Sequence, residues 1–298
     1  MNLRKIKYGL VLGALYPLAL LPLRVLYVFG GVLSFAMHRI VRYRLKVVRK
    51  NLQQSFPEKT ESELRAIEKD FYSYFGDLIV ETVKLLHISD RQIRRRVEIR
   101  NQDVVERYAD EGRPVILFLA HYCNWEWVPA IAMLVDRPRR MGALYKPLRN
   151  KVMDAVMLRL RSRFPIACIP VKTAYRCLVE MRTEGPSFMI GFIADQRALG
   201  GNLKHWTTFM GQETSYFAGG ETIGDRIDAR YVYLEVERPR RGYYVMTFKR
   251  IEPSVDIATG EFPYTREYFR MLEKTIRHAP AYWLWSHNRW KKSRDTAH

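Results

Sequence analysis

From Tyr8 to Met37 the chain is apolar at almost every position, with Arg24 as its one charged residue. Such a tract is the strongest class signal in the sequence. Its first part, Tyr8 to Leu23, contains Pro17 and Pro22. As a straight helix that part reaches only ~24 Å, short of a ~30 Å hydrocarbon core. Arg4, Lys5 and Lys7 precede the tract; Arg39, Arg42, Arg44, Lys46, Arg49 and Lys50 follow it. Basic residues on both flanks prefer the same, cytoplasmic side, which favours a re-entrant or interfacial helical hairpin, with a tilted single span as the alternative. No A-x-A site follows, so the segment reads as retained rather than cleaved.

Beyond it the periodicity becomes that of a folded domain. Thr60 and Glu63 form a capping-box pattern, and Leu64, Ile67, Phe71, Phe75 and Leu78 recur at helical spacing, predicting a helix from Ser62 to Leu86. Asn51 to Pro57 reads as its leading loop, and the basic stretch Arg91 to Arg100 as a solvated face. Val115 to Ala120 is a continuous apolar run of the kind buried in a parallel sheet. Further strands are expected at Met141 to Tyr145, Ile166 to Val171, Ser187 to Ala194, Tyr231 to Glu237 and Tyr243 to Arg250. Helical patterns at Trp125 to Val135, Asn150 to Arg163 and Thr173 to Glu184 alternate with the first four strands, and a last helix covers Thr265 to Ala279. Gly200-Gly201 reads as a turn, and the turn at Pro239 to Gly242 predicts an antiparallel edge. The expected fold class is therefore α/β, a mixed sheet flanked by helices with N-terminal hydrophobic membrane-associated helices. Residues 1–50 form the membrane-associated segment with basic flanks, and residues 51–298 the globular domain.

Charge narrows the partners. The 298 residues carry 50 Lys and Arg against 31 Asp and Glu, a formal net charge of +19. Such a surface attracts polyanions: nucleic acid, anionic membrane or an acidic carrier protein. The apolar N-terminus favours the membrane over nucleic acid. Three cysteines, Cys123, Cys168 and Cys177, form no CxxC pair, which argues against a disulfide framework and for a reducing, cytosol-facing location.

The chemistry points to His121-Tyr-Cys-Asn-Trp-Glu126, immediately after the first buried strand. Ligands in open α/β sheets collect at the carboxyl ends of strands. On one continuous helix, His121 and Glu126 would lie ~140° apart; with His121 on the turn and Glu126 in the first helical turn they meet. Glu126 then accepts the Nδ1 proton, and Nε2 is free to act as a general base. A satisfied structural histidine is the competing reading. Cys123 as a thiol nucleophile is a poorer one, since it points away from its neighbour His121. No G-x-S-x-G, HExxH or glycine-rich phosphate loop is present, and the seven histidines show no metal-ligand spacing, so neither metal nor cofactor is expected.

Several blocks together carry a resemblance. HYCNWEW at His121 to Trp127, ALYKPLRNKVMD at Ala143 to Asp154, LRSRF at Leu160 to Phe164, ADQ at Ala194 to Gln196, HWTTFMGQ at His205 to Gln212 and the C-terminal MLEKTIRHAPAYWLWSHNRWK at Met271 to Lys291 resemble the late acyltransferases of lipid A biosynthesis. With NLQQSFPE at Asn51 to Glu58, the similarity spans nearly the whole chain. It implies a glycerol-phosphate-acyltransferase-like fold with 51–298 as catalytic domain. An acyl carrier protein thioester would be the donor and a lipid A precursor the acceptor, at the cytoplasmic face of the inner membrane among its lipids, with no nucleic acid partner. It also implies direct transfer without an acyl-enzyme, with His121 as base and Glu126 orienting it. Arg161 or Arg163 would stabilise the oxyanion or hold a substrate phosphate. Asn124, Lys146, Asp195 and Gln196 would shape the site, with Asp195 in competition as the second carboxylate. The chain departs from the pattern at Cys123 and Pro165, where glycine is usual, which leaves acyl length open. The tail aromatics Tyr282, Trp283, Trp285 and Trp290, with Arg289, Lys291, Lys292 and Arg294, suit an interfacial belt or core packing equally. A lysophospholipid or aminolipid acyltransferase would keep the same dyad, and a non-catalytic basic lipid-binding protein is the reading outside enzymes.

Overall fold

A computed structural model describes residues 3–138, 140–197 and 204–291. The strands are β1 (Val97–Arg100), β2 (Val115–Leu119), β3 (Met141–Tyr145), β4 (Ala167–Pro170), β5 (Met189–Ile193), β6 (His205–Phe209), β7 (Gln212–Tyr216), β8 (Arg230–Arg240) and β9 (Tyr243–Arg250). Seven of them form one mixed sheet in the order β1-β9-β8-β2-β5-β3-β4, and β6 and β7 pair as a separate hairpin. Strand β2 lies at the centre, parallel to β5 on one side and β8 on the other. All five of its residues are buried, as its unbroken apolar run requires when helices cover both faces. Phe118 stacks with Tyr268 and with Tyr231, ring centroids 5.2 and 6.2 Å away.

The β8–β9 hairpin is antiparallel, but β9 is not the edge: β1 adds to it in parallel, Val97 facing Tyr244. The stretch Arg91 to Arg100 is thus not merely a solvated face. Ser89 and Gln92 form a capping box that starts the helix Asp90–Arg94, and the alternation of Val97 and Ile99 with Glu98 and Arg100 makes the strand. Asn51 likewise is not in a loop. The helix Leu45–Ser55 runs through it, and its buried amide donates to the carbonyls of Trp285 and His287, both at 2.8 Å. The expected helix over Trp125 to Val135 contracts to a 3-10 turn, Val128–Ala130, and a single turn, Ile131–Leu134. Gly200-Gly201, Lys292 and Arg294 lie outside the described residues.

Thr60 caps the helix Glu61–Lys84 as expected, its hydroxyl accepting from the Glu63 N–H while the Glu63 carboxylate accepts from the Thr60 N–H. This long helix organises the N-terminus. The apolar tract forms two helices, Leu3–Leu20 and Leu23–Phe35, broken at Pro22. The first rests on Glu61–Lys84 and on Lys151–Arg161, and the second packs along Glu61–Lys84; they do so in preference to each other, so a closed hairpin is not formed. Gly30 and Gly76 allow close approach: a Cβ on Gly76 would sit 2.3 Å from the Gly30 carbonyl oxygen. At helical spacing the long helix buries Asp77, Glu81 and Lys84, and the Lys84 ammonium donates to the carbonyls of Ala19 and Leu21. The outer face stays apolar, with Val25, Val28, Phe29, Val32 and Phe35 exposed. By length and composition alone, Leu23–Ile40 is long and apolar enough to cross a bilayer.

Candidate active site

Strands β2 and β5 run parallel in a register that sets Leu119 against Ile193. The Ala194 N–H continues the ladder by donating to the Leu119 carbonyl at 3.2 Å. Two residues further, on strands ~4.8 Å apart, His121 and Asp195 come side by side. The His121 Nδ1 lies 2.8 Å from Asp195 Oδ1, and the His121 backbone N–H donates to Oδ2 at 3.1 Å. The indole N–H of Trp283 also donates to Oδ2, at 2.8 Å. Three donors therefore converge on one carboxylate that is 2% exposed. Burial by itself would push this carboxyl up, but the electrostatic influence of the His121 ring and the hydrogen bonds from His121 and Trp283 outweigh it and hold Asp195 below the ordinary range.

The carboxylate at His121 Nδ1 is thus Asp195, not Glu126. The reason is local: residues 121–127 form an irregular turn rather than a helical first turn, so Glu126 is directed elsewhere. It makes a bidentate pair with Arg161, 3.0 Å from Nε to Oε2 and 2.8 Å from Nη2 to Oε1. Burial opposes the guanidinium's charge, but the hydrogen bonds and charge of Glu126 more than restore it. Arg163, two residues on, turns to the Ile88 carbonyl and the Asp90 carboxylate. The structure therefore brings Arg161, but not Arg163, to the His121 block.

The Gln196 amide nitrogen lies 3.3 Å from His121 Nε2, and the Trp125 ring meets the imidazole edge-on at 5.1 Å. In the tautomer that donates Nδ1–H to Asp195, Nε2 carries the lone pair and the Gln196 amide faces it as a donor. Asn124 sits behind this layer, fully buried, its amide donating to Glu81 at 2.6 Å. Lys146 is exposed just past β3, and Pro165 is exposed after the helix Lys151–Arg161. Cys123 is buried with φ +49°, a left-handed conformation in which glycine is unstrained. Burial pushes its thiol well up, and Sγ points to the Val236 carbonyl at 3.5 Å, so it offers no thiolate. Among the described residues no cluster of three or more His, Cys, Asp or Glu is arranged to hold a metal.

The C-terminal tail belongs to the site, which sequence patterning did not reveal. Besides the Trp283 indole, the Leu284 N–H donates to the His121 carbonyl at 3.1 Å, and Tyr122 and Trp283 form an antiparallel bridge. Trp283 and Trp285 are buried, which decides their reading for packing. The only available sequence signal was their number; nothing in spacing ties Trp283 to Asp195. At the same end of the sheet lies an open, largely apolar pocket of about 360 Å³, lined in part by Leu144, Tyr175, Phe192 and Phe217, with Lys172 and Lys204 also on its wall.

Comparison with known proteins agrees with the resemblance in the motifs. The family described as bacterial lipid A biosynthesis acyltransferase matches residues 1–292. The lipid A biosynthesis palmitoleoyltransferase of Escherichia coli K12 is 25% identical over 281 residues, covering 94% of this chain and 89% of the relative. The lauroyltransferase of the same organism is 23% identical over 284 residues, covering 94% and 90%. The myristoyltransferase matches a shorter stretch, 26% identical over 115 residues, or 38% of this chain and 35% of the relative.

Proposed function

The chain belongs to the bacterial lipid A biosynthesis acyltransferases, and from that premise we propose that it moves a fatty acyl chain from an acyl carrier protein thioester to a hydroxyl of a lipid A precursor, with His121 as general base. The observation that carries this reading is the His121–Asp195 pair, which supports the Nδ1–H tautomer with Nε2 as the proton acceptor. In the proposed step the Gln196 amide moves aside and Nε2 takes the acceptor's hydroxyl proton as its oxygen attacks the thioester carbonyl. The tetrahedral intermediate collapses, the carbon–sulfur bond breaks, and the thiolate leaves with the proton returned from the imidazolium. No bond to the enzyme forms. The expected His121–Glu126 dyad becomes two paired devices: Asp195 orients His121, and Glu126 holds Arg161 as the candidate partner of the oxyanion or of a substrate phosphate.

The donor assignment rests on charge, since a +19 protein steers an acidic carrier by attraction that salt screens. The largely apolar pocket beside β5 is where we place the donor's hydrocarbon chain. The exposed apolar face of Leu23–Phe35, with the basic residues that follow it, supports attachment at the cytoplasmic face of the inner membrane. The test is turnover of purified protein with carrier-bound and CoA-bound acyl chains from ~10 to ~300 mM salt, a range over which screening shortens to under ~10 Å. Carrier-dependent transfer that falls with salt, and a lipid A lighter by one acyl chain on gene deletion, are the expected results. Preference for acyl-CoA without a salt effect overturns the donor, and an unchanged lipid A with altered phospholipid overturns the acceptor.

A further inference from the structure

The helix Glu61–Lys84 buries Glu81 completely, at a distance in sequence from every residue of the reaction. A buried carboxylate is costly unless donors surround it. Here the donors come from three separate parts of the fold. The Tyr27 hydroxyl, on the N-terminal helix Leu23–Phe35, donates to Oε1 at 2.8 Å. The Asn124 amide and the Tyr244 hydroxyl both donate to Oε2, at 2.6 and 2.5 Å. The indole N–H of Trp127 adds a bond to the Glu81 backbone carbonyl at 3.1 Å.

Asn124 has little choice of orientation once its amide faces Glu81. Its other end then accepts from the Trp127 backbone N–H at 3.2 Å, closing the turn that contains Trp125 and Glu126. Tyr27 is itself fixed from the other side: the Arg241 guanidinium stacks on its ring at 4.3 Å and donates to its carbonyl at 3.1 Å, while pairing with Asp77. A continuous set of hydrogen bonds thus runs from the apolar N-terminal helix through one carboxylate to the turn bearing Glu126 and Arg161's partner oxygens. Packing alone would be served by an apolar residue at position 81.

We propose that Glu81 is a positioning residue that couples the seating of the N-terminal helices to the geometry of the His121–Glu126 turn, so that full turnover requires the Tyr27–Glu81–Asn124 connection. This rests on the reading above that the turn performs the acyl transfer. The consequence is that an enzyme whose N-terminal helices are displaced retains substrate binding but loses turnover.

The experiment is a double-mutant cycle on full-length protein in phosphatidylglycerol vesicles, measuring kcat, KM and Tm on the same samples. Tyr27→Phe removes one hydroxyl that reaches the His121–Glu126 turn only through Glu81 and Asn124. It is expected to lower kcat about 3- to 10-fold, the equivalent of one hydrogen bond, with KM and Tm nearly unchanged. In an Asn124→Ala background, where the connection is already cut, Tyr27→Phe is expected to change kcat less than about 2-fold. Glu81→Gln, which keeps the volume but replaces one acceptor oxygen by a donor amide, supplies a second background should Asn124→Ala fold poorly. Equal effects of Tyr27→Phe in every background, or an effect on Tm with kcat untouched, overturn the coupling. Those outcomes are distinct from failure of the reaction assignment, which is read from His121→Ala alone: near-normal turnover there removes the base and leaves the cycle to be interpreted separately.

Discussion

Asp195 reaches both the ring Nδ1 and the backbone N–H of His121, at 2.8 and 3.1 Å, and so holds the imidazole by two independent bonds. An asparagine in its place would keep the size but offer one acceptor and a competing donor, favouring the wrong tautomer. Asp195→Asn is expected to lower kcat by ~10³ to 10⁴-fold, and His121→Ala by at least ~10²-fold, with the double variant far from the product of the two. Trp283→Phe, which removes one of three donors to the carboxylate, should cost ~3- to 10-fold. Steady-state kinetics on samples matched by melting temperature check this; a folded Asp195→Asn with wild-type turnover would sink the orienting role.

Glu126 and Arg161 act as a bidentate pair, and lysine does not reproduce a planar fork. Arg161→Lys should lower kcat by ~10-fold or more. Glu126→Ala leaves the guanidinium without its partner and should cost a similar factor plus ~1 to 3 kcal/mol of stability, below the cost for a fully buried pair because Arg161 is 23% exposed. Chemical denaturation alongside kinetics separates the two effects. Additive losses in the double variant would show that the residues do not work through each other.

Cys123 should be dispensable for chemistry. Cys123→Gly relieves a left-handed backbone but loses a buried side chain, so stability should stay within about 1 to 2 kcal/mol. Activity should persist, and mass spectrometry of protein quenched during turnover should find no acyl adduct. A trapped thioester on this residue would replace the direct route.

His287 and Asp195 predict how stability responds to acid. Burial lowers His287 to about 4, so between its unfolded value near 6.5 and pH 4 the unfolded chain binds a proton that the folded chain refuses. Stability is therefore full above about pH 6.5 and falls as pH drops through that window. Asp195, held below the usual carboxylate value, adds stability that is present above about pH 4 and lost only in stronger acid. His287→Gln should flatten the decline between pH 6.5 and 4 in urea melts, and an unchanged slope would reject this origin.

Membrane attachment should depend on the outer face of Leu23–Phe35. Replacing Val28 and Val32 by Glu changes exposed positions while sparing the buried Leu23 and Leu26. The variant should leave the membrane pellet with Tm changed little. Gly76→Ala, by contrast, should drive the helices apart and cost ~1 to 3 kcal/mol, because the added methyl meets backbone. Retention of the Glu variant in salt-washed membranes would contradict the interfacial reading.

Local pattern was enough for much of this molecule. An unbroken apolar run marked β2, apolar stretches on either side of the Pro239 to Gly242 turn marked β8 and β9, and the Thr60–Glu63 capping-box pattern marked the long helix, expected from Ser62 and found from Glu61. Each depends on residues near in sequence, where spacing and propensity act directly. The position of His121 at a strand end was legible for the same reason. Its carboxylate partner was not readable from local spacing, which favoured Glu126 five residues away; Asp195, seventy-four residues away, entered as a competitor only through the family resemblance, and the parallel register of Leu119 with Ile193 puts it beside the ring. Trp283, Asn51 and Glu81 were hidden likewise: a polar atom's partner across the fold leaves no periodic trace. β1 was masked by its arginines, since an edge strand pairs through its backbone and tolerates charge on its open face. Sequence decided which segments form elements and which residue types could do the chemistry; the sheet register and the packing of the two ends of the chain decided which of those residues touch.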